Sequence, residues 1–215
     1  MNKYWQHFKT IIKHKIEVGK VCFKFGLYWQ GLTHDLSKFS ITEFAPSARY
    51  FQGTSSPIDA EKKEKGYSEA WLHHKSKNKH HQWYWMDWDN KQNPTPCRIP
   101  AKYVYEMIAD WIGAGKVYGK KAGKEWSWSE PYEYYKSHNR KSESNFPIWE
   151  FATQAMIDTI LVDLKEFGLD FIAKRIKEGY YEFIYYNNLK ANNGREIYEW
   201  LFKYNELVTK YYEED

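Results

Sequence analysis

The sequence predicts a mainly α-helical fold, and three observations carry that expectation. Apolar residues recur at helical spacing over 3–29. A Ser-x-x-Glu capping box stands at 40–43. The stretch 104–112 places Val104, Met107, Ile108, Trp111 and Ile112 at i, i+3, i+4, i+7 and i+8. A chain of 215 residues is expected to form one compact domain. Val, Ile, Leu and Phe make up only about one fifth of it, but a net charge of +4 is too small to hold such a chain unfolded. Hydrophobic residues are 42% and aromatics alone are 20%, so the core must be rich in aromatic rings. Tyr and Trp have polar tips, so the same rings also suit a stacking surface.

The elements follow in order. The first helix is expected over 3–29, where Tyr4, Phe8, Ile11, Ile12, Val18, Val21, Cys22, Phe25 and Tyr28 share the helical period and Gly19, Gly26 and Gly31 warn of breaks. The capping box starts a helix at Ile41 that runs to about Phe51, and the Gly, Ser and Pro content of 52–59 marks a loop. A helix over 60–76 should carry Ala70, Trp71 and His74 inward. The polar, Pro-containing stretch 87–99 reads as a loop, and Pro100 suits the first position of the next helix. The basic, aromatic stretch 119–147 has little periodicity and reads as a long loop or lid. Helices over 148–167 and 169–178 end at Gly168 and Gly179. Residues 180–186, YYEFIYY, read as a strand on β-propensity with a turn at 192–194, and a last helix spans 195–212.

No apolar run approaches the roughly 18 residues needed to cross a membrane, and the N-terminus lacks the apolar segment of a secretory signal. A cytoplasmic protein with no membrane partner is expected. Cys22 and Cys97 are too few for a disulfide framework and form no CxxC pair. Lysines at 61–65, 75–79 and 116–124 are interrupted by acids, aromatics or glycine and read mainly as a solvated face.

The histidines and aspartates say more. In chain order they are His14, His34-Asp35, His73-His74, His80-His81 and Asp110, with His7 and His138 outside the series. Imidazole and carboxylate are the donors that Mn, Fe, Co, Ni and Zn accept, and the series is long enough for two ions. His74 and His81 would lie about 10.5 Å apart on one continuous helix. The helix must therefore end near Asn78 so that His80-His81 can turn back. Asp110 sits within the apolar run Met107–Ala109 and Trp111–Ile112, where a buried carboxylate needs a cation, a hydrogen-bond network or a metal. Taken singly, each feature has a plainer reading. HH in the polar run KSKNKHHQ suits a solvated surface, and Asp110 suits the edge of its stripe.

The order H…HD…H…HH…D resembles the HD superfamily of metal-dependent phosphohydrolases, which are all-helical enzymes. THDLSKFSITEF (33–44), AWLHHKSKNKHHQWYW (70–85) and YVYEMIADWIGAGKVY (103–118) more closely resemble an uncharacterised family found in bacteria and their phages. The likeness covers roughly residues 10–120. It implies an HD-domain-like helical bundle with additional C-terminal helices: a metal-binding core over 1–120, a lid over 121–147 and packed helices over 148–215. It also implies His14, His34, Asp35 and Asp110 as the primary metal set, with His74, His80 and His81 adding a second ion and Asp35 bridging the two. The resemblance leaves open whether His73 takes the place of His74. Lys38 matches the Lys of the HDxxK variant found in the cyclic-dinucleotide phosphodiesterase branch, where it contacts a phosphate oxygen or assists the leaving group. The GYP signature of that branch is missing, so its substrate does not carry over.

The reaction this implies is hydrolysis of a nucleotide or related phosphoester. Two ions would acidify a bridging water and neutralise phosphate oxygens, and Lys38 would stabilise the transition state with Asp35 at the centre of the site. Trp83, Tyr84 and Trp85 are expected to form a wall for a base or to pack in the core, and Lys79, Arg98, Lys102 and Lys116 to form a phosphate-attracting rim. Trp126, Trp128, Tyr132, Tyr134 and Tyr135 are further candidates to face a ligand. The same ligand order is compatible with a di-iron oxygenase. A metal-stabilised scaffold that binds nucleic acid or a protein through 119–147 is the non-enzymatic alternative.

Overall fold

The computed structural model describes residues 2–53, 56–121, 123, 125–138 and 148–190, and it is mainly helical. The element order is α1 (Lys3–Lys24), α2 (Tyr28–Thr33), α3 (Ile41–Tyr50), α4 (Pro57–Lys65), α5 (Glu69–Lys77), a hairpin of β1 (Met86–Trp88) and β2 (Pro94–Pro96), α6 (Ala101–Lys121), α7 (Glu130–His138), α8 (Phe151–Lys177) and α9 (Tyr180–Lys190). A 3-10 turn over Leu36–Phe39 joins α2 to α3, and another over Gln82–Trp85 precedes the hairpin.

The helical period builds one core from three long helices. On α1, His7, Thr10, Ile11, His14, Val18, Val21 and Cys22 are buried along one stripe. That stripe packs on α6, whose Val104, Met107, Ile108 and Ile112 also meet Ile157, Ile160, Leu161 and Leu164 of α8 in the same cluster. The close approach of α1 and α6 depends on Gly113. A Cβ there would stand 2.5 Å from Val18 Cγ2 and 3.1 Å from its backbone nitrogen. The core is as aromatic as the composition demands, with Phe25, Tyr105, Tyr135, Trp149, Tyr181 and Tyr185 all buried.

Several expected boundaries move. The helix expected over 3–29 stops at Lys24, turns through Gly26 and resumes as α2, whereas Gly19 and Gly31 stay helical. The segment 60–76 is two helices rather than one. Gly66 adopts a left-handed φ of 82°, which ends α4, and Ser68 then caps α5 by accepting from Trp71 N. Part of the expected 52–59 loop is helical as well, because Ser56 caps and Pro57 occupies the first position of α4. Within 87–99 there is a short antiparallel pairing, Met86 with Pro96 and Trp88 with Pro94, closed by Asp89 Oδ1 accepting from Lys91 N and Asn93 N.

The stretch 119–147 is not one long loop. The α6 helix continues to Lys121 and α7 occupies Glu130–His138, while 139–147 lie outside the described residues. Gly168 has non-helical φ/ψ (80°, −174°) and kinks α8 at the expected break. Segment 180–186 is helical rather than extended. Tyr181, Ile184 and Tyr185 are buried at i, i+3 and i+4; Tyr181 Oη donates to Asp163 Oδ2 at 2.8 Å and Tyr185 Oη to the Ile99 carbonyl at 2.9 Å. Packing and these two hydrogen bonds override a weak β-propensity. The turn at 192–194 and the helix at 195–212 lie outside the described residues. Among those described, no helix is long and apolar enough to cross a membrane.

Candidate metal centre

Five segments converge beside the α1–α6 seam. The α1 stripe presents His14, and Lys15 on the next position donates to the carbonyls of Leu32 and His34 at 2.7 and 2.8 Å. That pair of bonds pins the end of α2 against α1. His34 then leaves the helix, and Asp35 takes a left-handed conformation, φ 54° and ψ 27°. Adjacent side chains on a regular helix diverge by about 100°. The left-handed step instead turns both His34 and Asp35 inward, at a cost of about 1–2 kcal/mol that an Asp tolerates better than most residues. In the 3-10 turn that follows, residues three apart eclipse one another, so Lys38 lies back over Asp35 with Nζ 2.5 Å from Oδ2.

The opposite wall comes from α5 and α6. Asn78 ends α5, with its side-chain amide donating to the His74 carbonyl at 2.7 Å, and His80 and His81 turn back toward the site as the spacing requires. His74 faces the centre, while His73 is turned toward Glu43 at 2.7 Å. Asp110 projects from α6 one turn after Glu106.

Three groups of donors each have their atoms within 4.8 Å of one another: two share Asp35, namely His14, His34, Asp35 and Asp110, and Asp35, His74, His80 and His81, and the third is His34, His80 and Glu106. Oδ2 of Asp35 faces the first, 3.5 Å from His14 Nε2 and 3.2 Å from His34 Nε2. Oδ1 faces the second, 3.4 Å from His74 Nε2 and 3.5 Å from His80 Nε2. Asp110 Oδ1 closes the first group, 2.9 Å from His14 Nε2 and 3.5 Å from His34 Nε2. Donors bound to one ion at about 2.1 Å stand roughly 3.0–3.5 Å apart, which is the spacing found here.

Two further observations bear on whether a cation fits. The Nε2 atoms of His14, His34, His80 and His81 and Oδ1 of Asp35 are buried without an aligned hydrogen-bond partner among the described residues, although they crowd one another, while Oδ2 of Asp35 has the Lys38 ammonium beside it. Buried polar atoms of that kind call for a ligand. Four carboxylates, Asp35, Asp110, Glu43 and Glu106, are also gathered largely buried at the site, with Lys38 against Asp35 and histidines against the others. Burial by itself would push the Asp35 and Asp110 carboxyls up. The neighbouring histidines, with Lys38 at Asp35, reverse this and hold both well below the usual carboxylate range. Burial likewise opposes charge on His34, but Asp35, Asp110 and Glu106 hold its imidazole well above the ordinary value. Burial with His80 and His74 close by keeps His81 well below it. These buried His, Asp and Glu groups can hold a metal ion.

The site opens into a cavity of about 630 Å³ lined by His14, Lys38, His74, His81 and Asp110 and, beyond them, by Lys62, Trp71, Trp83, Trp111, Tyr118 and Tyr134. Trp83 is therefore on the wall. Tyr84 is 38% exposed, packs on Trp85 and lies outside the lining, and Arg98 sits over the Tyr185 ring, away from the cavity. Lys79, Lys102 and Lys116 lie over Tyr84, Tyr103 and Trp128 respectively and form no rim around the opening. Of the aromatics assigned to the 119–147 stretch, Tyr134 lines the cavity, while Trp126, Trp128, Tyr132 and Tyr135 pack on the core. The expectation of a ligand-facing group there reduces to one ring, because the others pack on the core, Tyr132 and Tyr135 from α7 and Trp126 and Trp128 from the segment before it.

Two acids of the site were not singled out as site residues in the sequence. Glu43 reads there as the acid of a capping box, and Ser40 does accept from Glu43 N at 3.3 Å. Its carboxylate instead accepts from His73 and His74. Glu106 lies four residues before Asp110, on the same face, and that spacing is the one signal that points to it.

A family model matches residues 3–161, and its description is a family of unknown function, DUF5662. The chain belongs to that family. The DUF5662 span takes in every donor named above and runs from α1 into the first part of α8. Neither the curated proteins nor the solved structures contain a match to the chain.

Proposed function

We propose that this DUF5662 protein is a metal-dependent phosphohydrolase of the HD type, acting on a nucleotide or related small phosphoester. The observation that carries the reading is Asp35, whose two oxygens each face a separate group of imidazoles with Lys38 alongside. In this reading His14, His34 and Asp110 would hold one divalent ion and His74, His80 and His81 the other, with Asp35 serving both sets. The ions, of Mn, Fe, Ni, Co or Zn, supply an acidified water and neutralise phosphoryl oxygens. The protein's own part is positional and electrostatic. Lys38, three residues from Asp35, places a cation in the cavity wall beside the site, where negative charge would gather on a phosphoryl group. Trp83, Trp111 and Tyr134 offer ring faces to a base, and a cavity of about 630 Å³ suits a small molecule.

The cation beside the donors favours an anionic substrate over the di-iron oxygenase alternative, and the packing of Trp126, Trp128, Tyr132 and Tyr135 on the core takes up four of the rings that a nucleic-acid scaffold would use. The test is elemental analysis of protein purified without chelator, followed by a panel of phosphomonoesters and phosphodiesters with Mn²⁺ or Ni²⁺. Two ions per chain are expected, with turnover that is abolished by chelator and lost in Asp35→Asn. His34→Ala and Asp35→Ala should each strip metal while the helical circular dichroism persists. Unchanged metal content in both, or turnover that requires iron and oxygen, overturns the assignment.

A further inference from the structure

Glu106 is buried on α6 and touches both donor groups without belonging to either of the pair that share Asp35. Its Oε1 stands 3.1 Å from His34 Nδ1 and 3.2 Å from His80 Nδ1. His34 lies in the group on Asp35 Oδ2 and His80 in the group on Asp35 Oδ1. Their rings pack against each other with centroids 4.5 Å apart. An imidazole whose Nδ1–H donates to a carboxylate presents Nε2 as a lone pair, and the acid also fixes the ring's orientation. One oxygen of Glu106 therefore sets the tautomer and aim of a histidine in each group. We infer that Glu106 is a positioning residue that couples the two metal positions, an inference that rests on the two-ion reading of the site.

Glu43 provides the contrast within the same molecule. Its Oε2 accepts from His74 Nδ1 at 2.9 Å and its Oε1 from His73 Nδ1 at 2.7 Å, so it serves the second group alone. Coupling follows from the shared oxygen: an ion that orders His34 holds Glu106 in the place His80 requires, and the reverse holds equally. With Glu106 and Asp110 one turn apart on α6, a single helix delivers both a ligand and the acid that aims two others.

The experiment uses the full chain, stripped with chelator and titrated with Co²⁺ by calorimetry, with the visible cobalt spectrum reporting the ligands. The native protein is expected to take two ions. Glu106→Leu, which removes the acceptor, should weaken both binding steps by about 10–100-fold. Glu106→Gln keeps the shape and one acceptor oxygen and should fall between native and Leu at both steps. Glu43→Leu should weaken one step only. If Glu106→Leu fails to fold, the Gln variant decides, because it must still weaken both. Two-ion binding in the native protein with one step or neither altered by the Glu106 changes overturns the coupling and leaves the metal reading intact. A native protein that takes fewer than two ions overturns the two-ion reading itself, and the coupling with it.

Discussion

Gly113→Ala tests the link between the packing of α1 on α6 and the geometry of the metal centre. The added methyl would stand 2.5 Å from Val18 Cγ2 and 3.1 Å from Val18 N. Carbon atoms in ordinary contact are about 3.5–4.0 Å apart, so roughly 1 Å must be found. Val18 is fully buried, and a β-branched side chain in a helix is confined to essentially one rotamer, so the methyl cannot swing aside. The helices must part. Overpacking of this kind costs about 1–3 kcal/mol, and replacing a helical glycine by alanine returns about 1 kcal/mol. A net loss of about 1 kcal/mol is expected, or roughly 2–4 °C in Tm for a chain of this size.

The site should respond as well. Val18 lies one turn after His14 and Gly113 nearly one turn after Asp110, so the same parting widens the 2.9 Å approach of His14 Nε2 to Asp110. Urea denaturation of the metal-free protein and a Co²⁺ titration measure the two effects. Gly119→Ala is the control, because a Cβ there meets nothing within 4 Å and should stabilise the same helix by up to about 1 kcal/mol. If Gly113→Ala proves as stable as Gly119→Ala and binds metal as tightly as native protein, the close approach does not govern the site.

Two other outcomes follow from single contacts. Burial raises the Asp163 carboxyl from 3.8 to about 6 despite the Tyr181 hydroxyl and Arg175, which corresponds to ~3 kcal/mol of preference for the neutral acid. The folded state therefore holds the extra proton, so this group's contribution is fully present below pH 3.8 and is lost as pH rises through about 6. Asp163→Asn keeps an acceptor for Tyr181 and should come close to native stability near pH 4 but exceed it by about 2–3 kcal/mol at pH 7.5; a difference that does not change with pH in paired urea melts would refute this. Lys38→Ala should lower kcat on the best phosphoester by about 10²–10³-fold with metal content unchanged, and an unchanged kcat would remove Lys38 from the chemistry.

The helices with a strong apolar stripe were legible because burial of one face is written into the spacing itself. α1 and α6 are the clearest, whereas α3 was legible from its capping box. The errors cluster where local signals compete. YYEFIYY favours a strand by residue type, but Tyr181 and Tyr185 find partners at Asp163 and Ile99 that no local rule contains. The helix expected over 60–76 divides because a left-handed Gly66 is favoured over continuation once Ser68 can cap the next helix. In 119–147, the aromatic residues lack a clear period, yet α7 buries Tyr135 against Trp149 and turns Tyr134 to the cavity.

Residue chemistry by itself marked out the donor series, because imidazoles and aspartates in H…HD…H…HH…D have few other uses in common, and it required a break near Asn78 for His80 and His81 to join. The resemblance implied a division of those donors into two sets, but only the tertiary structure supplied the backbone that arranges them, with Asp35 turned inward by a left-handed step so that each oxygen meets its own group. It also brought in Glu43 and Glu106. A glutamate is ordinary on a helix surface, and its role depends on which nitrogen of which distant histidine it meets, a relation that arises only when α3, α5 and α6 are packed together.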